Sequence, residues 1–163
     1  MSEQKYGPVK NEESAVKVPM IVTAAELFRK KSGRFVTLNT TTGYVEVADA
    51  GDALLYGWAE CGENTSTATG LEVEVIPAMN CNTVFRIPII TGTLTRPMIG
   101  RTCDIVRATV AGVTSVQGAD LTATGEDVVC IVGADYSGDI GDSAWVDVMF
   151  TPEKESAHVG VTD

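Results

Sequence analysis

Histidine is nearly missing from this chain: the single one, His158, sits in a polar C-terminal stretch. That excludes a histidine triad on the body of the protein, and with it most serine and cysteine hydrolase chemistry. Closely spaced cysteines are also missing. Cys61, Cys81, Cys103 and Cys130 lie 20, 22 and 27 positions apart, so no C-x-x-C pair exists to begin a structural zinc site. They read as reduced, mostly buried thiols, with two disulfides as the alternative. No long apolar run occurs. The longest near the N-terminus, Val18-Pro19-Met20-Ile21-Val22, is far too short for a membrane span or a signal h-region. The expectation is a soluble, unexported chain made in a cytoplasm, with no membrane partner.

Positive charge is scarce as well. Twelve Lys and Arg face 22 Asp and Glu, a net charge of −10, whereas a nucleic-acid partner calls for a basic stripe that displaces phosphate counterions. The motifs of common enzymes are absent too: G-x-S-x-G, H-E-x-x-H, a P-loop, and G-x-G-x-x-G after a strand. These absences lead to an expectation of no catalytic residues, no metal and no cofactor.

What is present is a β-rich composition with a lopsided charge. The 163 residues are 44% hydrophobic, enough for one ordinary domain with a core of its own. Sixteen glycines among many Thr and Val favour strands joined by tight turns. Through Arg34 there are seven Lys and Arg against four Glu, a balance of +3; from Phe35 onward five face eighteen acids, a balance of −13. A basic, polar arm on an acidic body points to a part that docks by its arm.

Residues 1–22 read as that extended arm, disordered when free up to about Lys17. The alternation in Val16 to Val22 suits a strand that adds to a partner's exposed edge. Thr23 followed by Glu26 has capping-box spacing and predicts one short helix over Ala24–Lys30, ended by Gly33. A β-rich body over 23–152 follows, then a polar tail over 153–163.

Within the body, period-two patterning predicts strands at Arg34–Leu38, Tyr44–Val47, Leu54–Glu60, Leu71–Val75, Phe85–Ile89, Arg101–Arg107, Gly112–Val116, Val128–Val132 and Val146–Phe150. Asn39 to Gly43 reads as a hairpin loop. Val128–Val132 is apolar on both faces and predicts a fully covered strand. The fold class is mainly β: a small β-barrel, β-tulip or sandwich with an extended N-terminal arm and one short helix.

Some clusters carry two readings. Asp135, Asp139 and Asp142 could gather oxygens around Ca²⁺, but Gly-containing Asx turns explain the same spacing. Tyr56 and Trp58 lie two apart, as a core layer with Leu54 or as an aromatic sugar platform. Trp145 is expected on the outward side of its strand, beside Asp147, as an oligomer contact.

One stretch carries a resemblance. Gly33-Arg34-Phe35-Val36-Thr37-Leu38, then Thr-Thr-Gly43-Tyr44-Val45, then Asp49-Ala50-Gly51-Asp52-Ala53-Leu54-Leu55-Tyr56-Gly57-Trp58-Ala59 resembles the layout of tailed-phage head decoration (cement) proteins of the lambda type. It covers mainly Gly33 to Pro77, and its motifs are turn chemistry rather than a reactive signature. The resemblance implies a structural protein of the virion, on the outer capsid surface. It would bind the major capsid protein, associate with itself as a homotrimer or homodimer, and clamp neighbouring subunits against internal DNA pressure. On this reading the capsid contacts are Lys5, Lys10 and Lys17 with Pro19, Met20, Ile21 and Val22. The alternative is a carbohydrate-binding β-sandwich module using Tyr56, Trp58 or Trp145. A hydrolase with a carboxylate pair has no positive sequence feature behind it.

Overall fold

The computed structural model describes residues 7–10, 15–26, 28, 33–60, 70–79, 82–110, 113–122, 128–134 and 139–151. Among these, eleven strands form two curled sheets: β1 (Gly7–Lys10), β2 (Val18–Ile21), β3 (Arg34–Leu38), β4 (Val45–Val47), β5 (Gly57–Glu60), β6 (Glu72–Pro77), β7 (Val84–Thr91), β8 (Thr102–Val110), β9 (Val113–Asp120), β10 (Val129–Gly133) and β11 (Trp145–Phe150). The only helical segments among the described residues are two 3₁₀ turns, Arg96–Met98 and Ile140–Asp142. The mainly β fold expected from the sequence is the fold observed.

The first sheet has the order β1-β7-β11-β10-β8-β9, and β9 also pairs in parallel with the far end of β7. That extra pairing closes five strands into a ring, with β1 added to the outside edge of β7. Closure brings β9 tightly against β7. A Cβ at Gly118 would overlap the Pro88 carbonyl oxygen, so only glycine fits there.

The second sheet has the order β2-β6-β5-β3-β4, antiparallel throughout. It curls until its two edge strands meet. Val22, just past β2, bridges Val45 on β4, and the Thr23 N–H donates to the Val45 carbonyl at 3.0 Å. Closure removes the open edges that would otherwise template aggregation. The interior holds Val22, Phe28, Val36, Val45, Val47, Ala59, Val73 and Val75, with Val18, Met20 and Leu38 packed against them.

The outer side of this second sheet plugs the first. Phe35 and Trp58 meet Phe85 and Phe150 of the first sheet, with ring centroids 4.9 to 5.4 Å apart and mostly edge-to-face. Each such side chain contributes about 1.5–3 kcal/mol by burial, and each aromatic pair adds about 0.5–1.5 kcal/mol. Trp58 fits because two glycines make room. A Cβ at Gly33 would overlap its indole nitrogen, and one at Gly7 would lie 3.2 Å from its Cζ2.

Several sequence expectations change. The N-terminal segment is not a free arm in its described parts: Gly7–Lys10 pairs with β7, and Val18–Ile21 pairs with β6 as a barrel strand. The apolar inner side chains of Val18, Met20 and Val22 drive that pairing, because they complete the interior of the second sheet. Ala24 and Ala25 form a turn, with Ala25 at φ 67°, so the capping-box helix does not start there. Thr23 Oγ1 instead donates to Glu46 at 3.2 Å. Residues 27 and 29–30 of that expected helix lie outside the described residues.

Leu54–Glu60 shortens to β5, and the irregular lead-in breaks the assumed parity. Trp58 faces the core between the sheets, whereas Tyr56 packs on the interior of the second sheet. β10 is not covered on both faces: Val129 and Ile131 are buried, but Val132 is 39% exposed. The hairpin after β3 forms as expected, with Asn39 Oδ1 accepting the N–H groups of Thr41 and Thr42 at 3.0 Å.

Candidate docking surface

Of the residues expected to contact a partner, four reach solvent among the described ones. Lys10 ends β1 and is exposed. Lys17, Pro19 and Ile21 lie on the outside of the second sheet, Ile21 being 37% exposed. Met20 and Val22 are corrected. They point into the interior of the second sheet, where Val22 is fully buried and the Met20 sulfur accepts the Tyr56 hydroxyl at 3.6 Å. Period two decides this: alternate residues of β2 face opposite ways, so one strand cannot offer its whole apolar run to a partner. Lys5 lies outside the described residues.

The strand beside β2 changes the charge of this surface. Pro19 pairs across from Glu74, and Ile21 from Glu72, both glutamates exposed. Glu60 is the next residue along that row, opposite Glu74 on β5. Lys17 Nζ sits 2.8 Å from Glu60 Oε2, with both side chains about one-third exposed. Around β2 the described surface is therefore not a positive patch. Three glutamates surround one paired lysine and two apolar side chains.

Sequence reasoning missed that neighbour. The alternation of Glu72 and Glu74 marks them as outward, but nothing local announces that β6 pairs with β2.

A second polar cluster ties the sheets together. Arg107 on β8 reaches Asp49 in the β4–β5 turn, Nε to Oδ2 at 3.0 Å, and its backbone N–H donates to Asp49 Oδ1 at 3.0 Å. Its Nη1 also lies 3.6 Å from Glu26 Oε2. Burial pushes the Glu26 carboxyl above its ordinary value, only partly offset by Arg107. Burial acts upward on Asp49 too, but hydrogen bonds from the Ala50 and Arg107 N–H groups and the guanidinium outweigh it and hold the carboxyl low. With its polar atoms directed at one another, this cluster is a joint between sheets.

Comparison with known proteins returns no match: no protein-family model, curated protein or solved structure is similar to this chain. The chemistry must be read from the residues. Among the described residues, no group of three or more His, Cys, Asp or Glu side chains is arranged to hold a metal ion. Asp139 Oδ1 accepts the Gly141 N–H at 3.2 Å, the Asx-turn alternative for that loop; Asp135 lies outside the described residues. Cys103 is buried and Cys130 is half-buried; Cys61, Cys81 and His158 lie outside the described residues. Trp58 is fully buried and cannot offer its face to a ligand. Trp145 is half-buried on the outer side of β11, across from Pro88. Among the described residues no helix is long and apolar enough to cross a membrane.

Proposed function

We propose that this protein is a structural cement of a phage capsid, binding the outer surface of the major capsid protein shell. One observation carries the reading. The stretch that resembles head decoration proteins, Gly33 to Pro77, contains β3 to β6, four of the five strands of the second sheet. The N-terminal segment contributes the fifth and closes it. The resemblance thus covers a structural unit, with the segment expected to bind the capsid built into its wall.

The docking side is then the outer face of β2 and β6: Pro19 and Ile21 framed by Glu60, Glu72 and Glu74. Such a surface suits a capsid face that is apolar at its centre and basic around it. This reverses the sign of the contact expected from the arm's lysines.

The test is co-expression with the major capsid protein encoded in the same genome, followed by sedimentation of assembled shells. The protein is expected to co-sediment and to raise the temperature at which shells break. Ile21→Lys combined with Glu74→Lys, both on the surface, is expected to weaken shell binding at least about tenfold, as loss of an apolar anchor and a complementary charge does. Protein that stays in the supernatant at every ratio would remove the proposal.

A further inference from the structure

The turn between β7 and β8 concentrates positive charge on an acidic body. Past Phe35 the described cations are Arg86, Arg96, Arg101 and Arg107. Arg86 is ion-paired with Asp147, and Arg107 with Asp49 and Glu26. Arg96 and Arg101 are exposed, and no carboxylate among the described residues pairs with either. Between them Ile99 is 39% exposed.

Backbone contacts pin this turn. Leu94 is fully buried in the core between the sheets and Met98 packs against the same cluster, so the turn is anchored at two points. The N–H groups of Met98, Ile99 and Arg101 donate to the carbonyls of Thr95, Arg96 and Met98 at 2.9 to 3.2 Å. Three-residue spacing on a 3₁₀ turn puts Arg96 and Ile99 on one side. Gly100, at φ 86°, then forms a bulge against β10. Its N–H donates to the Ile131 carbonyl and the Ile131 N–H donates to the Arg101 carbonyl, both at 2.8 Å. That register sets Ile99 across from Val132, itself 39% exposed. Two arginines and two apolar side chains thus share a backbone platform that needs no ordering on binding. The adjoining 3₁₀ turn, in which Gly141 approaches Thr93 and Leu94, carries Asp139 and Asp142, and neither forms an ion pair with Arg96 or Arg101.

Charge selects the occupant. The planar fork of arginine matches carboxylate or phosphate, so both side chains call for an anion. Duplex nucleic acid carries a charge about every 1.7 Å and would run on from two arginines over a body of net charge −10. An anionic bilayer is a still wider field of one sign. Both are repelled where the two arginines end. A short protein segment is not: two carboxylates can meet Arg96 and Arg101, and an apolar side chain between them can cover Ile99 and Val132. We propose that the Arg96–Arg101 turn, with Ile99 and Val132, docks an acidic segment of a partner protein that carries an apolar side chain between its carboxylates. The proposal goes beyond the capsid reading, which rests on the outer face of the second sheet, and either can fail without the other.

The experiment is a titration of the isotope-labelled full chain, followed by amide chemical shifts, with short synthetic peptides in which two Glu flank one Leu at varied spacing. At least one peptide is expected to shift the amides of Arg96, Ile99, Arg101 and Val132, with affinity falling as salt rises. Arg96→Ser combined with Arg101→Ser, both at exposed positions, is expected to weaken that binding at least about tenfold. Gln in place of both Glu in the peptide removes the same contacts without touching the protein's fold, and should weaken binding as much. A series in which no peptide shifts these amides overturns the proposal. So do shifts centred on Ile21 and Glu74 instead, or equal binding of the Gln peptide. Single-stranded oligonucleotides and phosphatidylglycerol vesicles run beside the peptides: tighter binding of either at the same amides overturns the assignment to a protein segment.

Discussion

The side-chain amide of Gln117 grips the backbone of Phe35 from both sides. Its Oε1 accepts the Phe35 N–H at 2.8 Å, while its Nε2 donates to the Phe35 carbonyl at 3.0 Å and the Ala48 carbonyl at 2.8 Å. Gln117 belongs to β9 of the first sheet and Phe35 to β3 of the second, and both are fully buried. One side chain thus mimics a rung of strand pairing between two sheets. It fixes Phe35 at the centre of the aromatic cluster.

Removing that amide is expected to be costly. In Gln117→Leu the Phe35 carbonyl keeps the Ala48 N–H at 2.9 Å, but the Phe35 N–H and the Ala48 carbonyl lose their Gln117 partner. Two buried groups left unpaired cost about 2–5 kcal/mol, or about 5–15 °C in melting temperature for a chain of this size. Gln117→Glu keeps the volume but sets an acceptor against two carbonyls. It should be at least as destabilised at pH 7 and recover partly in acid. Thermal unfolding of both variants checks this, and a Gln117→Leu melt within about 2 °C of wild type would contradict the staple.

Glycine positions separate close packing from turn conformation. A Cβ at Gly33 would overlap both the Trp58 indole nitrogen and the Ala59 carbonyl oxygen, and neither can retreat from a filled core. Gly33→Ala is expected to cost about 2–4 kcal/mol, in the range of overpacked core sites. Gly43, at φ 73° with open space around it, should lose only about 1 kcal/mol on change to Ala, through backbone strain alone. Chemical denaturation of the two variants ranks them, and equal losses would place the strain in the backbone at both sites.

Much of the fold was legible because burial of one strand face writes period two into the sequence. Leu71 to Val75, Phe85 to Ile89 and Val146 to Phe150 all became strands within two or three residues of their expected ends. Asn39 announced its turn through its own side chain. What could not be read was pairing between distant strands. The β2–β6 ladder, which puts Glu72 and Glu74 beside Ile21 and Pro19, joins residues about fifty positions apart. Gln117, one residue past the expected Gly112–Val116 strand, carried no local signal, since its partners lie 69 and 82 positions away. The helix at Ala24 failed for the same reason. Thr23 and Glu26 have capping spacing, but tertiary partners, Glu46 and Arg107, take their side chains instead.

Acid should affect the Arg107 joint in opposite directions at its two carboxylates. Glu26 has a raised value in the fold, so its ionised form disfavours folding above its ordinary 4.5 and is relieved as pH falls. Glu26→Gln is expected to melt higher than wild type at pH 7, with the advantage closing below about pH 4.5. Asp49 has a lowered value, so its stabilisation is present above its ordinary 3.8 and is lost as pH falls through the lowered one. Asp49→Asn should melt lower than wild type at pH 7 and converge with it in strong acid. Melting curves from pH 3 to 7 would show the two variants approaching wild type from opposite sides. Parallel curves would mean that neither carboxylate is linked to folding.

Truncation distinguishes an arm from a wall. Removing residues 1–10 takes away β1 and the Gly7 contact with Trp58. The second sheet, including β2, is left intact. The expected result is a folded protein with a modest loss of stability and a red-shifted Trp58 emission, read in a Trp145→Phe background. Removing residues 1–22 is a different cut. It deletes Val18, Met20 and Val22 from the interior of the second sheet, opens the β6 edge and breaks the Val22–Val45 closure. Fully buried Val22 alone accounts for about 1.5–3 kcal/mol, a large share of the about 5–15 kcal/mol that holds a typical domain together, and the partly buried Val18 and Met20 add to it. The longer truncation is therefore expected to unfold or aggregate where the shorter one survives. If both retain the same cooperative melt, residues 18–22 are an appendage after all, and the outer face of β2 must be sought as a mobile ligand rather than as part of the barrel.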